Sequence, residues 1–135
     1  MITFSPVFAV MDAPQILYDI LKERKSRECI RHKTMPTYEE HIRFMDSNPY
    51  AAWYLIHDSS AGWVGHINLS HTREVGIFLF AAHRGKGYGE EAIRRLAALH
   101  PGTMYAEINP LNAPSIVFFT GLGGKLIQHT YEFTL

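Results

Sequence analysis

Residues 74–93 read EVGIFLFAAHRGKGYGEEAI and carry three structural signals in a row. The apolar run over 74–80 predicts a strand that is covered on both faces, and therefore a central strand of a sheet. Glycines then alternate with other residues in RGKGYG, residues 84–89. From Gly87 the apolar residues recur with a helical period until His100-Pro101-Gly102 stops the pattern. The stretch therefore predicts a strand, a glycine-rich loop and the start of a helix.

The glycine loop predicts a phosphate site. A loop that enters a helix offers free main-chain amides and the positive end of the helix dipole, and glycines allow close approach of a ligand. Arg84 and Lys86 add positive charge. The alternative is a glycine-rich turn without a ligand. The P-loop pattern fails because Gly87 follows Lys86, where Ser or Thr is needed. The dinucleotide pattern GxGxxG fails because Glu90 stands where its third glycine is needed.

The remaining sequence predicts one α/β (α+β) domain over residues 1–135, with no linker or repeat. Hairpin strands come first and a strand-helix-strand-helix unit follows, which is typical of a mixed sheet with helices packed on it. Helices are expected from Asp12 to about Arg24, from a Thr37–Glu40 capping box to about Asp46, from Gly87 to His100, and from Asn112 to the GLGG of 121–124. Strands are expected over 2–7, 51–56, 63–70, 74–80, 104–108, 125–128 and 131–135.

Composition excludes several classes of protein. The 13 Lys and Arg residues balance the 13 Asp and Glu residues, which disfavours general nucleic-acid binding. The lone Cys29 cannot form an internal disulfide, which fits a reducing compartment. No apolar run is long enough for a membrane span and no signal-peptide pattern is present, so we expect a cytoplasmic protein without a membrane partner. The eight histidines form no metal-ligating pair, so we expect no metal.

The loop resembles the [QR]xxGx[GA] signature of the GNAT superfamily of acyl-CoA-dependent N-acyltransferases. Residues 74–93 are similar to the central strand, loop and helix of that family. The segment AEINPLNAPSIVFFTGLGG (106–124) is similar to its fifth strand and the helix that follows. The family pattern of that segment falls on Asn112, Ser115, Phe118, Phe119, Gly123 and Gly124. Gly124 departs from it, since the family usually has Phe there.

The resemblance implies a fold and an activity. The sheet would be mixed and mainly antiparallel, with about four helices around it, and its fourth and fifth strands would splay apart. Acyl-CoA, as acetyl-CoA, would lie in that opening as cosubstrate. The protein would transfer the acyl group to a primary amine of a small molecule, nucleotide sugar or peptide by direct attack in a ternary complex. A homodimer is compatible with the family.

The resemblance also assigns roles to single residues. Main-chain groups of Phe78 and Leu79 would pair with the pantetheine arm of CoA, and one of those amides would polarise the thioester. Asn112 and Ser115 would contact CoA from the last helix, although the alternatives are a helix cap and a small packing residue. The main chain of the loop would hold the CoA pyrophosphate; its residues are Arg84, Gly85, Lys86, Gly87, Tyr88 and Gly89.

Two carboxylates are candidates for the base that deprotonates the amine, namely Glu107 at the end of the fifth strand and Glu74 at the start of the fourth. Either could instead be a solvated charge at a strand end. Phe119 stands beside the CoA site where the family often has a tyrosine that protonates the leaving thiolate. Tyr105 or Tyr131 could replace it, or water could. Phe119 therefore leaves open a second reading, a weak or inactive acyl-CoA-binding or sensor module.

The acceptor is not identified by the sequence. The stretch from Lys22 to Lys33 is rich in Lys and Arg, which indicates either a solvated face or a site for an acidic acceptor. Alternation places Trp53 and Leu55 on one face of a strand and Tyr54 and Ile56 on the other. One of these aromatic residues could line the acceptor cleft or pack in the core. Cys29 is expected to have no role in catalysis.

Overall fold

A computed structural model describes residues 1–24 and 34–135. Within these ranges the protein has four strands and four α-helices. The strands are Ile2–Pro6 (β1), Ala52–Asp58 (β2), Gly62–Leu69 (β3) and Val75–Leu79 (β4). The helices are Ala13–Lys22 (α1), Tyr38–Asp46 (α2), Tyr88–Leu99 (α3) and Ala113–Gly121 (α4). Short 3-10 turns cover Val7–Ala9 and Ala81–His83.

The strands form one antiparallel sheet in the order β1-β2-β3-β4. Asp58 stabilises the turn between β2 and β3. Its carboxylate accepts hydrogen bonds from the main-chain amides of Ser60 and Ala61 at 3.2 and 3.1 Å. The amino group of Met1 lies 3.4 Å from the same carboxylate. These bonds, with the Ser60 hydroxyl foremost, lower the pKa of Asp58 to about 2.

The two faces of the sheet carry separate cores, as the alternation in β2 predicts. Ile56 belongs to a core that includes Ala92 and Leu96 of α3 and that Tyr54 flanks; we call this the α3-side core. Trp53 and Leu55 belong to a second core, with members from α1 and α2, which we call the α1–α2-side core. The predicted division of these strand residues is therefore confirmed.

The helix boundaries follow local signals. Thr37 and Glu40 form the expected capping box, in which the Thr37 hydroxyl accepts from the Glu40 amide at 3.1 Å and the Glu40 carboxylate accepts from the Thr37 amide at 3.0 Å. Asn112 caps α4 as expected. Asp12 occupies the N-cap position of α1 but its side chain accepts no capping hydrogen bond, so that part of the prediction is wrong.

Three predicted strands do not form. The segment 104–108 makes a single bridge, at Tyr105, and the segments 125–128 and 131–135 belong to no sheet. Residues 123–135 are all exposed. Alternation of apolar and polar residues produces a strand only where a neighbouring main chain supplies hydrogen bonds. Among the described residues, 104–108 has such a neighbour only at Tyr105, and 125–128 and 131–135 have none.

Candidate functional site

The glycine loop joins the turn Ala81–His83 to the first turn of α3. Gly85 and Gly87 have φ of +73° and +87°, in the left-handed region that other residues rarely adopt. A Cβ atom built on either glycine would meet nothing within 4 Å, so the space above the loop is open. Gly87 is the N-cap of α3 and offers no capping side chain. The first amides of α3 therefore have no side-chain cap, and such uncapped amides are the groups that bind an anion at a helix N-terminus.

The charges around the loop favour an anion. Arg84 and Lys86 are exposed on it. Two carboxylates lie in the first turn of α3, but both are engaged elsewhere. Glu90 pairs with Arg94 at 2.9 Å, and the carboxylate of Glu91 accepts a hydrogen bond from the main chain of Ile2 at 3.0 Å. The residues present thus fit a pyrophosphate bound through main-chain amides.

The outer edge of β4 is open along most of its length. The amide of Val75 donates to the carbonyl of Tyr105 at 2.7 Å, and the amide of Tyr105 donates to the carbonyl of Arg73 at 2.9 Å. The only bridge between β4 and the segment 104–108 lies here, between Glu74 and Tyr105, and it is parallel. The two segments share no further bridge, so the sheet is mainly antiparallel, with a single parallel bridge at its β4 edge. Within residues 1–24 and 34–135, β4, expected as a central strand, thus has β3 as its one paired neighbour beyond this point.

The register of β4 decides which main-chain groups face the opening. Glu74 and Phe80 both bond to β3, through the Ser70 amide at 2.8 Å and the Val64 carbonyl at 3.0 Å. Since strand residues alternate, Phe78 also directs its main chain toward β3. The pairing expected for Phe78 with pantetheine therefore does not fit the register, whereas Leu79 does. Ile77, which sequence reasoning missed, presents its main chain on the same open edge.

Helix α4 lies against the start of α3. A Cβ atom on Gly89 would come within 3.2 Å of the Phe118 ring, so Gly89 permits this close contact. The Asn112 side chain accepts from the Ser115 amide at 3.4 Å, so its oxygen serves as a helix cap. Phe119 packs, half-buried, on the α3-side core. Asn112, Ser115 and Phe119 are thus placed on the helix that flanks the loop.

The two candidate bases lie near the point where β4 and the segment 104–108 separate. Glu74 is adjacent to that point through its bridge to Tyr105, and its amide donates to the Ser70 hydroxyl at 2.9 Å. Glu107 follows two residues after Tyr105 and is exposed. Of the candidate acids, Tyr105 is 45% exposed and Tyr131 is 79% exposed. Tyr105 therefore lies beside Glu74, whereas Tyr131 lies in the segment without a sheet partner.

Helix α1 also reaches the end of β4. The Glu23 carboxylate accepts a hydrogen bond from the Ala81 amide at 2.7 Å. The sequence does not predict this contact, because no local pattern links residues so far apart. The basic stretch that begins at Lys22 continues over 25–33, outside the described residues, and Cys29 falls there too.

A half-buried imidazole lies behind the open edge. His66 stacks on Phe78 with a centroid distance of 5.0 Å, and its Nδ1 accepts a hydrogen bond from the Trp53 indole at 3.2 Å. Burial, with a smaller contribution from His41, lowers the pKa of His66 to about 3. The ring is therefore neutral at physiological pH, with its proton on Nε2.

The described part of the chain has neither a metal-ligating cluster nor a membrane-spanning helix. Residues 1–24 and 34–135 contain no group of three or more His, Cys, Asp or Glu side chains placed to hold a metal ion. No helix in these ranges has the length and apolar character needed to cross a bilayer.

Comparison with known proteins adds a family and several structural neighbours. Residues 2–125 match the protein family described as "Acetyltransferase (GNAT) domain". None of the curated proteins matches the sequence. A spermidine N-acetyltransferase from Vibrio cholerae, in complex with CoA and spermine, is similar with a TM-score of 0.75 and 14% identity, over 96% of this chain and 86% of that one.

Two other solved structures are similar at a comparable level. An N-acetyltransferase from Staphylococcus aureus Mu50 has a TM-score of 0.63 and 18% identity, over 91% of this chain and 81% of that one. The Salmonella typhimurium protein yncA with its cofactor acetyl-CoA has a TM-score of 0.63 and 19% identity, over 91% and 78%. At such identities the neighbours establish the shared fold.

Proposed function

Because the chain belongs to the GNAT family of acetyltransferases, we propose that it moves an acyl group, most simply acetyl, from coenzyme A to a primary amine. The acceptor would be a small molecule, a nucleotide sugar or a peptide. One observation carries the proposal: the edge of β4 that β3 leaves unpaired leads, through the turn Ala81–His83, to the glycine loop and to the first turn of α3, which has no side-chain cap.

The chain's own groups would hold acyl-CoA along this path. The main chain of Ile77 and the Leu79 amide would pair with the pantetheine arm, as an added strand pairs with a sheet edge. The Leu79 carbonyl accepts a hydrogen bond from the Arg84 Nε at 3.3 Å. Asn112 and Ser115 would flank the CoA from α4. The main chain of Gly85, Lys86, Gly87, Tyr88 and Gly89 would bind the pyrophosphate, with the exposed side chains of Arg84 and Lys86 beside it. The Arg84 amide itself donates to the Ala81 carbonyl at 3.3 Å.

The reaction would be a direct displacement. The amine nitrogen forms a bond to the acyl carbon, the bond from that carbon to sulfur breaks, and the CoA thiolate leaves. An amide on the β4 edge, that of Leu79 or Ile77, would donate to the thioester oxygen and stabilise the charge that develops there. Holding both substrates in one cleft would supply much of the remaining rate gain.

The amine must lose a proton before or during attack, because a protonated amine has no free electron pair. Glu74 and Glu107 are the proposed bases, directly or through water. Both lie where β4 and the segment 104–108 separate, which is where the open edge begins. The base takes the proton of the amine. The thiolate takes a proton from water or from Tyr105, which lies beside Glu74.

A second candidate function is favoured by Phe119. Its ring packs on the α3-side core and has no proton to donate to a leaving thiolate. A protein with this residue could bind acyl-CoA and respond to it without efficient turnover. The two candidates make different predictions for the release of free CoA.

The experiment measures free CoA thiol with a thiol-reactive dye after acetyl-CoA is mixed with a panel of amines. The panel includes a polyamine, because the Vibrio cholerae neighbour contains spermine. Release that depends on the amine supports the transferase. Binding of acetyl-CoA, seen as a rise in melting temperature, without release supports the sensor module. The absence of both binding and release would contradict the transferase and the sensor module.

A further inference from the structure

Five residues lie side by side on the α1–α2 face of β3 and β4. The odd-numbered residues of β4 pack on the α3-side core, so alternation places Gly76 and Phe78 on the opposite face, with Glu74 continuing their row. The register places Asn68 of β3 beside Gly76 and His66 beside Phe78. We call these five residues the β3–β4 strip. It directly adjoins the open edge of β4, since each of its β4 members neighbours an edge-facing residue.

Asn68 in the middle of the strip is buried, and its side-chain nitrogen lacks a hydrogen-bond partner among the described residues. The residue is 4% exposed, and its Nδ2 has no partner among the described residues. A Cβ atom on Gly76 would lie 2.8 Å from the Asn68 Oδ1 and 3.0 Å from its Nδ2. The amide therefore lies over Gly76, directed toward β4 and its edge, and the missing side chain at position 76 leaves it room.

The end of the strip is flat, aromatic and neutral. Phe78 is 37% exposed, and the His66 ring lies almost parallel to it, with an interplanar angle of 20°. Because Trp53 donates to His66 and burial keeps the imidazole uncharged, this end repels no cation and attracts no anion. Such a surface suits a planar, apolar group.

The strip offers little charge to an acceptor. Its only ionised side chain is Glu74, and a single carboxylate suits a compound with one amino group better than a polyamine with several positive charges. The unpaired Asn68 amide calls for a polar partner, and since a half-turn about Cβ–Cγ exchanges its oxygen and nitrogen, it can present either. A carbonyl oxygen next to an amine is an acceptor that such an N–H donor can satisfy.

We infer that the β3–β4 strip seats the acceptor, and that the acceptor is an α-amino carbonyl compound with an aromatic side chain, such as an amino-acid amide or the first residue of a peptide. Asn68 donates to the carbonyl oxygen, Phe78 stacks on the aromatic group, and the amino group lies toward Glu74. This inference rests on the proposed transferase function and names its substrate class.

A structural role for Asn68 makes a different prediction. A buried amide without a partner destabilises the fold, and an apolar residue of the same shape removes that penalty. Replacing Asn68 by Leu should therefore raise the melting temperature, by about 3–8 degrees. If Asn68 is retained for binding, the same variant should lose recognition of the carbonyl group.

The experiment compares three amines by kcat/KM for CoA release. Phenylalanine amide has both the carbonyl and the ring, phenethylamine lacks the carbonyl, and alanine amide lacks the ring. We expect phenylalanine amide to exceed each of the others by about 3- to 10-fold in the natural protein. Asn68→Leu should abolish the advantage of phenylalanine amide over phenethylamine and keep its advantage over alanine amide. Phe78→Leu should reduce the advantage of phenylalanine amide over alanine amide and keep its advantage over phenethylamine.

Each result bears on the inference. Equal turnover of the three amines by the natural protein would overturn it while leaving the transferase intact. So would a loss in Asn68→Leu that is the same for phenylalanine amide and phenethylamine, since that loss is not recognition of a carbonyl. No CoA release with any amine, despite binding of acetyl-CoA, would contradict the proposed function and the inference with it.

Discussion

The uncharged state of His66 predicts a specific loss of stability in acid. Its pKa is lowered to about 3 in the folded protein, against about 6.5 in an unfolded chain. A lowered pKa of a basic group means that the unfolded state binds the proton first. Stability is therefore unaffected above the unfolded pKa and falls as the pH drops below it. Between pH 8 and pH 5 this one group should lower the free energy of unfolding by about 2 kcal/mol.

Replacing His66 by Gln isolates this contribution. A glutamine has no charge at either pH, and its amide oxygen can still accept the hydrogen bond from the Trp53 indole. Burial also lowers the pKa of His41, so the variant keeps part of the acid sensitivity. The informative quantity is the difference between the two proteins in their loss of stability.

Urea denaturation of both proteins at pH 8 and pH 5 measures it. We expect the natural protein to lose about 2 kcal/mol more than His66→Gln over this range, with the same denaturant m-value. Equal losses would refute the reasoning, because His66 would then take up its proton in the folded state as readily as in the unfolded one. The neutral surface behind Phe78 would no longer be supported.

Three other predictions test the fold and the reaction. Gly65→Ala should unfold the protein or destabilise it by more than about 3 kcal/mol, because its Cβ would collide with the main-chain oxygen of Phe78; thermal melts would show it. Asp58→Asn should flatten the loss of stability between about pH 4 and pH 2, since the lowered pKa of Asp58 stabilises the fold only while the carboxylate is ionised; urea titrations check this. Glu74→Gln and Glu107→Gln are to be compared by their pH–rate profiles. The variant that lacks the base should lose the acidic limb of the profile, and its kcat should fall about 100-fold or more. An unchanged profile in both variants would exclude both carboxylates.

Local signals in the sequence account for most of the fold. The four helices and the strands β1 to β4 follow from hydrophobic period, the Thr37 capping box and the Asn112 cap, all of which act within a few residues. The predicted strands at 125–128 and 131–135 failed because a strand also needs a neighbouring edge, which no local pattern specifies.

The candidate site divides in the same way. The glycine loop is a local feature, so its residues and its place before α3 could be predicted from the sequence. The main chain of Ile77 and the unpaired amide of Asn68 could not, because both depend on the register between β3 and β4. Phe78 shows the same limit: its position in the strand was predicted, but the direction of its main chain was not.

The most direct test of the account asks whether the glycine loop holds acyl-CoA. Gly87 and Gly62 are a matched pair: φ is +87° and +82°, and a Cβ on either would meet nothing within 4 Å. Alanine at either position should cost about 1–2 kcal/mol of backbone strain. Only Gly87 lies in the loop; Gly62 begins β3.

The measurement is the rise in melting temperature that acetyl-CoA causes in the natural protein, Gly87→Ala and Gly62→Ala. At about 100 times the dissociation constant the ligand adds about 2.7 kcal/mol, or about 5–10 degrees. We expect Gly62→Ala to keep this rise and Gly87→Ala to lose half of it or more, which is about a tenfold loss of affinity. An equal rise in both variants would contradict the account, because the loop would then be a turn that holds no acyl-CoA.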